Sequence, residues 1–161
     1  MKQITKQMCT WIESSIKNWE PGNWNKQDNT GVYRHNNYTT VKLFGNCIAS
    51  IEQPNAETDI YHSDIYLYLG WGTVTTIDRL NGILSMFTDS RLHNHDGHWW
   101  ITSEPGNKNY VQVRSNKVCH RKGETHYCIK GMQSYYGIHI KQTDDFIGIV
   151  DIDNTLYNFE W

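Results

Sequence analysis

Proline is scarce in this chain, three residues in 161, and no apolar run approaches the roughly 20 residues that a bilayer-spanning helix needs. The N-terminus carries no apolar signal-peptide core, so the expected workplace is the cytosol, with no role for a membrane. An excess of charge is also missing: Lys+Arg 15 against Asp+Glu 17 gives a formal net charge of -2. That balance argues against a duplex-DNA binder that neutralises many phosphates, and leaves room for a local basic patch. Four cysteines, Cys9, Cys47, Cys119 and Cys128, are too sparse for a disulfide framework, and buried thiols are the simplest reading. No glycine run leads into a lysine, which excludes a P-loop, and no repeat, linker or low-complexity segment interrupts the chain.

Aromatic residues are what the chain has in quantity. Apolar content is 38%, below the usual globular share, yet Phe, Trp and Tyr make up 13%, with Trp 7 and Tyr 10. Each ring buries far more area than an aliphatic side chain, so aromatic area substitutes for aliphatic area in the core. Ile4, Met8, Trp11, Ile12, Ile16 and Trp19 recur at helical spacing, which predicts an opening helix docked by its Trp face. Gly22 to Thr30, rich in Asn, Asp and Gly, reads as a loop with Trp24 folded back as an anchor. Val32–His35, Thr39–Phe44 and Cys47–Glu52 read as a β-meander, with Gly45-Asn46 in a tight hairpin turn.

Ile60 to Leu69 reads as a central strand that turns at Gly70 and Gly72 into a helix carrying Ile77, Leu80, Leu84 and Phe87. Thr75 stands at the expected N-cap, with Asp78 completing a weak capping box. Asp89 to Gly97 reads as a polar turn region, His98–Thr102 as a strand, and Glu104–Asn109 as a loop. Further strands are expected at Tyr110–Arg114, Lys117–His120, Thr125–Ile129, Ile138–Gln142 and Phe146–Asp153. The order predicts an α+β fold: a mainly antiparallel sheet with an N-terminal helix and one internal helix packed on one face.

Three segments carry a resemblance: Asn29-Thr30-Gly31-Val32, Val41 to Ala49, and Leu69-Gly70-Trp71-Gly72-Thr73-Val74-Thr75-Thr76-Ile77-Asp78-Arg79-Leu80-Asn81. They resemble a family of small, uncharacterised tailed-bacteriophage proteins with a Gly-Asn-x-Ile-Ala hairpin and a Gly-aromatic-x-Thr-x-Thr-Thr-x-x-Arg-Leu-Asn strand-turn-helix. The resemblance ends near Thr102, and the tail from Asn107 onward shows no such resemblance. It implies viral origin and work in the host cytoplasm, without implying any chemistry. The corresponding division is a phage-type core domain over 1–106 and a β-rich C-terminal extension over 107–161 packed on it.

Several constellations suggest a site. Trp71, Thr73, Thr75, Thr76 and Arg79 crowd the start of the second helix, where N–H groups, hydroxyls and a guanidinium suit a phosphate or carboxylate and a Trp suits a stacked ring. His93, His95 and His98 offer imidazoles for metal binding or acid–base work, although Asn94 to Gly97 reads as a turn tip. A hairpin about Lys122-Gly123 gathers Cys119, His126 and Cys128 on one face with a two-residue loop, or His120, His126 and Cys128 with a three-residue loop. Either set would need a fourth ligand, such as His139, to hold a structural zinc. Asp144, Asp145, Asp151 and Asp153 read as a solvated edge. Tyr61, Tyr66, Tyr68, Tyr135 and Tyr136 read as core or sheet surface before they read as a base-stacking platform.

These readings converge on a phage accessory protein that acts by binding, without catalysis and with no cofactor beyond that zinc. It would serve host takeover or anti-defence by sequestering a nucleotide-like small molecule at the Thr-rich turn or a host protein, and a homo-oligomer stays open. The competing class is a histidine-based phosphodiesterase or nuclease acting on RNA or a signalling nucleotide, with His95 and His98 as acid and base and Arg79 on the phosphate.

Overall fold

The computed structural model describes residues 2–18, 23–26, 29–53, 64–70, 72–95, 97–104, 109–111, 118–129, 137–142 and 147–151. Two helices and eleven strands lie within them: α1 Gln3–Asn18, β1 Asn23–Lys26, β2 Thr30–His35, β3 Tyr38–Leu43, β4 Asn46–Glu52, β5 Asp64–Tyr68, α2 Val74–Ser85, β6 Leu92–His95, β7 His98–Thr102, β8 Val118–Arg121, β9 Glu124–Cys128, β10 Gly137–Gln142 and β11 Ile147–Asp151. The strands form two sheets, one in the order β1-β2-β3-β4-β5-β10-β11 and one in the order β6-β7-β9-β8. All pairings are antiparallel, and the α+β class is as expected. Trp71, Trp19, Tyr61, Tyr135, Tyr136, Asp144, Asp145 and Asp153 lie outside the described residues, as do the side chains of His139 and Asp151.

Both sheets take strands from either side of residue 107: β10 pairs with β5, and β9 with β7. Backbone hydrogen bonds therefore join the 107–161 segment into both sheets. β5 is an interior strand between β4 and β10, and it alternates: Ile65 and Leu67 are buried while Tyr66 and Tyr68 are half-buried on the other face.

Helical periodicity sends Met8, Ile12 and Ile16 into the core from α1, and each such burial is worth roughly 1.5–3 kcal/mol. The Trp face does not dock. Trp11 stays 45% exposed and stacks on Trp24, ring centroids 6.5 Å apart, because the inward row at this spacing starts from Thr5. The Asn-rich segment expected as a loop contains β1, paired to β2 with Trp24 opposite Val32. Between β3 and β4 the turn is Phe44-Gly45, with φ of 50° and 79°, one residue earlier than Gly45-Asn46; both take the left-handed values of the favoured hairpin turn. The Asp89–Gly97 region holds β6, whose alternation of Leu92 inward and His93 outward is concealed by its polar composition.

The helices meet around a buried cation. Arg79, on α2, is 2% exposed; its Nε donates to Thr30 Oγ1 at 3.1 Å, and its Nη1 donates to Thr5 Oγ1 at 2.7 Å and Asp78 Oδ2 at 3.1 Å. The Thr5 hydroxyl in turn donates a hydrogen bond to Asp78 Oδ2. One guanidinium thus links α1, α2 and β2. At Gly82 the helices come so close that a Cβ would stand 2.3 Å from Thr5 Cγ2. Removing the Thr5 hydroxyl leaves a buried charge short of a partner, so Thr5→Val is expected to cost about 1–3 kcal/mol in urea unfolding, with the m-value unchanged. Thr10→Val, on the exposed side of α1, should stay within about 0.5 kcal/mol.

Candidate functional site

The turn into α2 is closed to a ligand at its cationic end. Thr73, two residues before the expected Thr75, is the N-cap: its hydroxyl accepts from Thr76 N at 3.2 Å and lies 2.8 Å from Thr76 Oγ1. Thr73 is exposed, Thr75 half-buried and Thr76 buried. Arg79 points into the helix layer, where burial pulls its pKa down and Asp78 works in the opposite sense. A guanidinium so enclosed holds the fold together and reaches no docking ligand, which corrects the role expected of it both at the Thr-rich turn and on the substrate phosphate.

The structure gathers chargeable side chains elsewhere, on the outer face of the four-stranded sheet. β6 and β7 pair His93 with Trp100 and His95 with His98; β7 and β9 pair Trp100 with Cys128 and Thr102 with His126; β8 and β9 pair Cys119 with His126 and Arg121 with Glu124. Cross-strand partners share a face, so Leu92, Trp99 and Ile101 go to the core while His93, His126, Arg121 and Glu124 go to the other side. Two turns hold this register, one through Gly97 at φ 74° and one through Lys122-Gly123 at φ 51° and 78°. The second realises the two-residue loop, and His120 turns away, 3.4 Å from Thr125 Oγ1. Among the described residues no three His, Cys, Asp or Glu side chains converge as a metal-ligand set.

α2 fixes where β6 lies. The Asn81 amide donates to Leu92 O at 2.8 Å and accepts from Leu92 N at 2.6 Å, and Trp99 Nε1 donates to Leu69 O at 3.0 Å at the end of β5. Between β6 and the β8–β9 hairpin opens a cleft of about 290 Å³, whose chargeable lining is Arg91, His93, Arg121, Lys122, Glu124 and His126. Thr102 and Asn81 complete its polar surface. Arg91 Nη2 meets Glu124 Oε1 at 2.5 Å across the mouth, in an exposed ion pair. Arg91 and Glu124 also line a second hollow of about 220 Å³, which is acidic, with Asp89, Glu104 and Tyr110.

Inside the cleft, the His93 and His126 rings meet edge to face, centroids 4.8 Å apart at 87°. His126 is 8% exposed, and among the described residues neither of its buried ring nitrogens has a hydrogen-bond partner; Glu124 Oε2 stands 3.6 Å from Nε2, beyond hydrogen-bond range. Burial pushes the His93 pKa below its ordinary 6.5, and His126, Arg121, His95 and Arg91 push it further the same way. His95 and His98 face each other at the far end of the β6–β7 hairpin, outside the cleft lining.

A family model described as Kyanoviridae Gp96 protein matches residues 1–120. The chain belongs to that family. It is a bacteriophage protein, and no helix among its described residues is long and apolar enough to cross a membrane. No curated protein and no solved structure matches it. The family match takes in β1 to β7 and most of β8, so Arg91 and His93 fall inside it while Arg121, Lys122, Glu124 and His126 lie just past its end.

His126 was expected as a zinc ligand and His93 as part of a turn cluster; Arg91, Arg121, Lys122 and Glu124 were missed. The legible signal was Asp96-Gly97, a favoured hairpin dipeptide that sets His93 on the same face as Trp100. Because the folded state binds its proton on His93 less readily than the unfolded chain, stability is present in full above pH 6.5 and falls as pH drops below it. The melting temperature is therefore expected to decline from pH 7.5 to 5.5, and to decline less in His93→Gln, as followed by circular dichroism.

Proposed function

We propose that this phage protein works by binding in the host cytoplasm, capturing a phosphorylated, nucleotide-like ligand in the cleft between β6 and the β8–β9 hairpin, in service of host takeover or evasion of host defence. The observation that supports this reading most is the His126 imidazole, buried with both nitrogens unpartnered among the described residues and beside three permanent cations. Burying a polar group without a partner costs free energy that a ligand atom can return on binding. Phosphate is the matching chemistry, since guanidinium, ammonium and imidazole all donate to its oxygens.

The competing reading, phosphodiester cleavage by a histidine pair, draws on two imidazoles lining one cleft. In-line transfer places base and acid on opposite sides of phosphorus, and two rings in contact at 4.8 Å leave no width for a phosphoryl group between them. Contact geometry thus favours capture over cleavage. RNA or mononucleotide turned over by the purified protein, and left intact by His93→Gln, would reverse this choice.

The binding test is calorimetric titration with 5′-AMP. Arg121→Glu, at an exposed position, should weaken binding by about tenfold or more. Lys42→Glu, which makes the same charge change at an exposed position on β3 of the other sheet and lines neither hollow, should change it by less than about twofold.

A further inference from the structure

The charges and donors of the cleft also discriminate between kinds of phosphate. Of the three permanent cations, Arg91 is already paired to Glu124, the one carboxylate in the lining, at 2.5 Å. Arg121 and Lys122 remain without a carboxylate partner among the described residues, a surplus of two positive charges at one end of a sheet. A phosphate monoester carries about −1.5 to −2 at neutral pH, which matches that surplus; a diester carries a single charge.

Donor count points the same way. Arg121, Lys122, His93 and His126 present four donor groups from β8, its turn, β6 and β9 around one hollow. A monoester offers three terminal oxygens to them and a diester two, so a diester leaves one more of these groups unsatisfied. The edge-to-face contact of the imidazoles also keeps the phosphorus from sitting between the rings, so the group lies over the pair, with its terminal oxygens toward the rings and toward Arg121. On the side beyond the Arg91–Glu124 pair, Asp89 and Glu104 make the neighbouring hollow acidic and repel a second phosphate.

We infer that the cleft recognises a terminal phosphate monoester and discriminates against a phosphodiester, an inference that rests on the cleft being the anion site proposed above. The ligand class is then nucleoside or sugar monophosphates, and neither a cyclic nucleotide nor an internal segment of nucleic acid.

Titration with 5′-AMP, 3′,5′-cyclic AMP and ribose 5-phosphate at one pH and salt concentration tests it, because the first two share base and ribose and differ in the phosphate, monoester or diester, and in the 3′-oxygen that the diester engages. AMP is expected to bind about tenfold or more tightly than cyclic AMP, as one lost charge-assisted hydrogen bond implies. Ribose 5-phosphate binding as well as AMP would assign the site to sugar phosphates at large, and weaker binding would assign it to nucleotides; both agree with the inference. Equal or tighter binding of cyclic AMP overturns the inference while leaving the cleft an anion site. No binding of any of the three overturns both. Arg121→Gln, and Lys122→Gln as an independent variant, should each shrink the preference for AMP, whereas a preference unchanged in both would show that it does not originate in this surplus of charge.

Discussion

A single guanidinium, buried in the helix layer, sets the relative placement of α1, α2 and β2. Removing an arginine from water is expensive unless its donors are met, and here they are met by Thr30, Thr5 and Asp78 from three elements. Only one relative position of these elements serves all three partners. The Gly82 contact enforces the same position sterically, since any Cβ there would overlap Thr5. Polar and packing constraints agree, which is how a marginally stable domain comes to have one arrangement of its helices.

The placement carries through to the cleft. Two residues along a helix turn the side chain by about 200°, so Asn81 projects away from Arg79 and reaches the β6 backbone at Leu92. α2 therefore clamps β2 and α1 with one side and β6 with the other. From β6 the second sheet grows by pairing, and strict alternation sends Leu92, Trp99 and Ile101 to the core and the charged and imidazole residues outward. A slip of one residue in β6 would move His93 inward and Leu92 out, and this register is held by the Gly97 turn and the Asn81 clamp together.

Much of this was legible in the sequence, and the failures share a cause. The meander of β2 to β4, the strand at β7 and the hairpin about Lys122-Gly123 follow from local pattern, because their pairing partners are near neighbours in the chain. Arg79 was misread because arginine is almost always at the surface, and the partners that make its burial tolerable, Thr5 and Thr30, are 74 and 49 residues distant. The cleft was missed for a similar reason. Its walls, β6 and the β8–β9 hairpin, meet only through β7, and nothing in a single sequence says that Thr102 stands opposite His126. The N-cap was displaced from Thr75 to Thr73 because several threonines in this stretch can cap and their local pattern does not rank them.

The same physics separates structural cations from those available to a ligand. Arg79 has exchanged water for fixed internal partners, so an incoming anion would have to displace Asp78 or Thr5 and would gain little by doing so. Arg91 is intermediate, exposed and paired with Glu124, in the kind of surface ion pair that contributes little to stability. Arg121 and Lys122 stand at a hairpin whose backbone turn, with φ of 51° and 78° at Lys122 and Gly123, holds them over His126 for reasons of strand twist and not of side-chain pairing. Their position is thus fixed by the fold while, among the described residues, no carboxylate pairs with them; beside a buried imidazole whose nitrogens lack a partner there, that combination is what favours the outer face of the small sheet over the start of α2 in the anion-binding reading proposed above.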